Sequence, residues 1–142
     1  MAHNPGIRCS VRNSIWDPNV WIFDFDPAAP GGRGGASVAF ETTIGLASIA
    51  GIHKNGLLPK RSTGALLADG FRQTPMPHPA ILEAYNVEKT TRTHMAAGGD
   101  GQGTFLGNTL ADTAKALGAT ITYWEPVPDG NIHHLRVHLA YP

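Results

Sequence analysis

Apolar residues alternate with polar ones over residues 7–12 and again over 20–26, where Trp21, Phe23 and Phe25 share one face. Such period-two alternation predicts two strands, with Ile22, Asp24 and Asp26 on the opposite side of the second. Residues 27–35 are almost all Pro, Ala and Gly and read as a loop. A third strand is expected at 37–42. After it, Ile44, Ile49 and Ile52 suggest a helix over 43–54 that Asn55-Gly56 would stop.

Residues 57–80 lack a clear period. A short helix is expected at 64–69, and the run Pro75-Met76-Pro77-His78-Pro79 can only be an extended connector, because each proline restrains both itself and the residue before it. A helical turn at 80–85 and an extended segment at 86–93 lead to a glycine-rich loop at 98–103. Asn108 or Thr109 then caps a helix over 109–117, with Leu110, Ala114 and Leu117 on one face and Gly118 as its stop.

The C-terminal pattern predicts a hairpin. Residues 120–127 and 131–141 are rich in β-branched and aromatic residues, and Pro128-Asp129-Gly130 between them suits a three-residue loop. Pairing Val127 with Asn131 would place Ile121 opposite Val137 and Tyr123 opposite Leu135 on an apolar face. The other face would pair Thr120 with His138, Thr122 with Arg136 and Trp124 with His134. Together these elements predict an α+β fold: a single domain over 1–142, a mostly antiparallel sheet, two or three short helices and a C-terminal β-hairpin.

Composition narrows the function classes. The 142 residues are enough for one domain that buries roughly 70% of its unfolded surface. One cysteine, Cys9, rules out an intramolecular disulfide. No window approaches the roughly 18 apolar residues of a membrane span, and the first residues lack a signal-peptide pattern, so a soluble protein without membrane association is expected. Eleven basic and eleven acidic residues cancel, and charged residues make up only 15% of the chain, against about 25% in an average domain. Bulk attraction to nucleic acid or lipid is therefore not expected. Interface cores are depleted in charge, so the same figure suits a surface that lies against other subunits.

Candidate chemistry concentrates on the second hairpin strand. His134, Arg136 and His138 would lie along one face, with Trp124 across from them, which supplies two imidazoles, a fixed cation and an aromatic plate. These groups suit a phosphate or nucleic-acid ligand, and paired imidazoles can serve as acid and base. Four residues along a strand separate the two histidines by about 13 Å, so His94 is the candidate for an additional imidazole and Tyr141 for a second stacking ring. The same separation rules out one shared metal ion, and no metal or cofactor is predicted. Histidine is equally at home on any half-solvated strand. In the glycine-rich loop, Gly101, Gly103 and Thr104 precede a helix and could cradle an anion, although the loop lacks the Gly-Lys-Ser/Thr ending of a phosphate-binding P-loop. Asp24 and Asp26 are conceivable cation ligands, but acidic residues on an edge strand more commonly prevent edge-to-edge association. Cys9, between Arg8 and Ser10 on a strand, reads as a small buried hydrophobe.

Two functional expectations follow. The first is a non-enzymatic assembly or binding subunit, a structural component of a homo-oligomeric or virion-like particle whose partner is itself or another protein. The second is a small metal-independent hydrolase, a ribonuclease in which His134 and His138 exchange protons, Arg136 holds the phosphate and Trp124 or Tyr141 stacks a base.

Overall fold

The structure, a computed structural model, describes residues 8–26, 34–54 and 61–142. Of the expected loop at 27–35, residues 27–33 lie outside the described residues and Gly34 and Gly35 begin a strand; the helix stop at Asn55-Gly56 and the start of the irregular middle segment at 57–60 also lie outside the described residues.

The aromatic alternation at the start of the chain forms strands as expected. β1 (Cys9–Asn13) pairs antiparallel with β2 (Val20–Phe25), with Cys9 opposite Phe25. The turn between them is closed by Asn13, whose side-chain amide donates to the carbonyls of Pro18 and Val20. β3 (Gly34–Glu41) continues the antiparallel sheet and turns back into β4 (Leu46–Lys54). α1 (Thr63–Phe71) then crosses over to β5 (Ile81–Ala84), which runs parallel to β4. α2 (Lys89–Ala96) and α3 (Phe105–Ala116) precede the hairpin of β6 (Thr120–Asp129) and β7 (Ile132–Ala140). Among the described residues seven strands form one sheet in the order β1-β2-β3-β4-β5-β7-β6, with β4–β5 as its parallel pair. The architecture is thus α+β with a mostly antiparallel sheet and a C-terminal hairpin.

One face of the sheet carries the core. Phe23, Val38, Ile49, Leu82, Leu135 and Val137 are all at most 1% exposed and pack with Leu67, Phe71 and Leu110 from the helices. Phe71 meets Phe23 edge-on at 5.4 Å and stacks on Phe40 at 6.2 Å. Gly70 is what lets α1 lie this low, because a Cβ there would run into the Phe23 ring and come within 3.0 Å of Cys9 Sγ. α1 is tied to α3 by the forked Arg61–Asp112 pair, and Gly64 packs so close to α3 that a Cβ would lie 2.5 Å from that of Asp112.

Four expectations are corrected. Residues 43–54 form a turn and β4 rather than a helix. Gly45 and Gly51 adopt φ of 67° and 64°, incompatible with a continuing right-handed helix, while Ala47 and Ile49 alternate into the core. Next, 81–84 is a strand and 89–96 a helix, the reverse of the expected order. Leu82 and Ala84 are buried against neighbouring strands, and Glu88 starts the helix by accepting the backbone N–H groups of Thr90 and Thr91. α3 also begins four residues earlier than expected, capped by Thr104, although Leu110, Ala114 and Leu117 are buried as predicted and the helix stops before Gly118.

The fourth correction is the hairpin register. Asp129 pairs with Ile132, so the loop is the two residues Gly130 and Asn131, and an irregularity between Ile121 and Tyr123 shifts the remainder. Gly130 has φ of 59°, the positive φ that a type II′ loop needs at its first position. Pro126 and Pro128 stay within β6 because β6 is an edge strand, where missing N–H groups cost little. Tyr123 therefore stands opposite His138 and is exposed, whereas Trp124 stands opposite Val137 and packs against the core.

Candidate functional site

His134, Arg136 and His138 lie on the sheet face away from the helices, as their spacing requires, but each is held by a different carboxylate. Arg136 Nε donates to Glu83 Oε2 at 2.7 Å, and Ser48 Oγ donates to Glu83 Oε1 at 2.6 Å, so the buried Glu83 side chain is satisfied on both oxygens. His138 Nε2 meets Glu125 Oε1 at 2.7 Å, with the Tyr123 ring 5.3 Å away. His134 is 5% exposed and stacks on Tyr85 at 4.5 Å. Its Nδ1 lies 2.9 Å from the backbone N–H of Asn86, and its Nε2 lies 2.9 Å from Asp129 Oδ2. A backbone N–H can only donate, so Nδ1 is the acceptor and Nε2 carries the proton given to Asp129. Both ring nitrogens are occupied.

The remaining sequence candidates are dispersed. Trp124 is on the opposite face of β6. The Tyr141 hydroxyl donates to the Pro79 carbonyl at 2.8 Å beside His78, and burial pushes its pKa up to about 12. His94 is exposed on α2 next to Gly99. In the glycine-rich loop, Gly101 lies against Leu135, Gly103 is exposed, and Thr104 spends its hydroxyl on the Gly101 carbonyl and the Gly107 N–H. The Cys9 thiol is pushed up to about 12 by burial, with Asp69 and Asp24 adding to the shift, which disfavours the thiolate a nucleophile needs. Among the described residues no three His, Cys, Asp or Glu side chains gather as a metal site.

A different site emerges from the backbone. β4 and β5 pair from Leu46–Ile81 to Ile49–Ala84, and a last bond runs from the Tyr85 N–H to the Ile49 carbonyl at 2.9 Å. Beyond Ile49 the strands part. β4 follows β3 with a bulge, in which Gly51 and Ile52 together oppose Ala36, and Gly51 has the positive φ characteristic of such bulges. The chain leaving β5 instead follows β7, with Asn86 N–H bonded to His134 and Val87 N–H to the His133 carbonyl at 2.9 Å. The gap is a crevice of about 220 Å³ between Gly51 and Ile52 on one wall and Tyr85, Asn86 and Glu88 on the other, with Phe105 of α3 at its edge.

A second hollow, of about 380 Å³, is also lined by Phe105 and extends to Lys54, Arg61, Thr63 and Gly64 at the start of α1. Local backbone conformation is unusual around both. Arg61 and Asn86 are non-glycine residues with φ of 60° and 51°, and such outliers gather at ligand-binding and active sites. At the start of α1, Ser62 makes no side-chain capping bond, and its buried hydroxyl oxygen has no hydrogen-bond partner. On the crevice wall, burial pushes the Glu88 carboxyl up, but hydrogen bonds from Thr91 and Thr90 outweigh it and leave the pKa below the usual glutamate value.

None of Gly51, Tyr85, Asn86, Glu88 or Phe105 was singled out from sequence. A lone glycine within an apolar run is a recognised signal of a bulge, and Gly51 carried that signal.

No family model and no curated protein matches the chain. A solved structure described as a "putative acetyltransferase" from Sphaerobacter thermophilus DSM 20745 is similar over 92% of this chain and 75% of that one, at 15% identity and a TM-score of 0.41. A likeness of that degree carries no functional argument.

Proposed function

We propose that the protein binds a small elongated molecule in the crevice between β4 and the Tyr85–Asn86 corner. The observation that carries this reading is the parting of two parallel strands at their carboxyl ends, the position at which open α/β sheets receive ligands. A strand edge without a neighbouring strand suits a ligand bearing amide groups, which can pair with backbone as an added strand does. The adjoining hollow is lined by Lys54 and by Arg61 with its partner Asp112, so polar groups lie beside the crevice as well. N-acetylglycylglycine has two amides and one carboxylate and is a suitable probe. Its titration into ¹⁵N-labelled protein should shift the amides of Gly51, Ile52, Asn86 and Phe105 together. Shifts confined to the opposite sheet face, or none at saturating probe, would remove the proposal.

An assembling subunit is a second proposal, favoured by Ile15 and Trp16, which are 88% and 89% exposed at the β1–β2 turn. Apolar side chains this open are candidates for burial against a second copy or a partner protein. A concentration-independent monomer mass in light scattering would count against self-assembly. A ribonuclease built on His134 and His138 is the proposal with least geometric support, since the imidazoles are engaged by separate carboxylates. RNA cleavage abolished by His138→Ala would restore it.

A further inference from the structure

The Tyr85–Asn86 corner that walls the crevice is held by a side chain from another strand, and we infer that His134 Nδ1 is the group that positions it. This inference rests on the reading of the crevice as a ligand site. Three successive N–H groups leave β5 in different directions: Tyr85 to β4, Asn86 to the imidazole and Val87 to the β7 backbone. The strands separate between the first and the third. Asn86, at the branch point, has φ of 51°, and its N–H is the one that takes a side-chain rather than a backbone acceptor. The ring that accepts it is fixed on two further sides, by the Tyr85 ring at 4.5 Å and by Asp129 Oδ2 at 2.9 Å. An imidazole clamped in this way presents a lone pair at one place, and the corner is built around that lone pair. Loss of the acceptor leaves the Asn86 N–H without its partner and frees the crevice wall to shift.

Two substitutions separate this role from simple packing. Asparagine places its side-chain oxygen near the position of Nδ1, whereas glutamine reaches toward the position of Nε2. His134→Asn therefore keeps an acceptor for Asn86 and loses the Asp129 bond, while His134→Gln does the reverse. Both lose the stacked ring, so both should lower the melting temperature. Hydrogen exchange at the Asn86 amide should stay close to wild type in His134→Asn and quicken by up to about tenfold in His134→Gln, the loss of roughly one net hydrogen bond. Affinity for N-acetylglycylglycine should follow the same order. Equal exchange in the two variants would overturn the inference, whether or not the probe binds. If the wild type does not bind the probe but the exchange rates differ as described, the ligand reading falls and the positioning role of His134 stands.

Discussion

Cys9 shows how far burial decides the chemistry of a residue. It is 2% exposed, its pKa is pushed up to about 12, and its backbone N–H donates to Asp69 at 3.0 Å. Native protein should therefore react with a thiol reagent such as DTNB only as fast as it unfolds, and immediate stoichiometric labelling at pH 8 would contradict that. Glu88 illustrates the opposite balance. Its folded pKa lies below the ordinary glutamate value, so the unfolded chain binds the proton more readily and stability rises with pH across that window. The contribution is complete above the unfolded pKa and is lost as pH falls through the folded one. Glu88→Gln should thus flatten the acid end of a melting-temperature profile and leave the neutral region with a smaller change. The imidazole of His134 was visible in the sequence as a candidate, but its tautomer and partners were not. They depend on Asn86 and Asp129, which only the assembled sheet brings to it.

Among the elements, α1 depends on small residues where it meets its neighbours. Gly70→Ala would press a methyl group into the Phe23 ring, and overpacking of this kind costs about 1–3 kcal/mol, measurable by urea denaturation. Gly130→Val is a cleaner case, because a Cβ there meets nothing within 4 Å and the penalty comes from φ of 59° alone. A loss of about 1 kcal/mol or more is expected from backbone sterics. Unchanged stability would mean that the loop tolerates another conformation. β1, β2 and the buried face of α3 were legible because Phe23, Phe25, Leu110, Ala114 and Leu117 follow simple periods. β4 was not, since its short apolar run interrupted by Gly45 and Gly51 suits helix and strand templates alike. The hairpin was legible as a hairpin, but its register was not, because Pro128-Asp129-Gly130-Asn131 can supply either a three-residue or a two-residue loop. The two-residue loop decides that Trp124 rather than Tyr123 faces the core, and the irregularity near Thr122 shifts only the pairing of Thr120 and Ile121.

At the level of the whole molecule, the crevice is a product of strand order rather than of any motif. α1 carries the chain across to a parallel position, the Gly51 bulge turns β4 aside, and the chain after β5 stays with β7. Residues 35 positions apart in sequence, Gly51 and Asn86, become opposite walls, which no local pattern could announce. Among the described residues, no helix is long and apolar enough to cross a membrane. The most direct test of the crevice as a ligand site is the detection of intermolecular NOEs between unlabelled N-acetylglycylglycine and ¹³C-labelled protein. Contacts from the probe's acetyl methyl to the side chains of Ile52 and Phe105, and to Leu106, which lines the crevice beside Phe105, are expected. Contacts only to residues of the opposite sheet face, such as Tyr123 and His138, would contradict it.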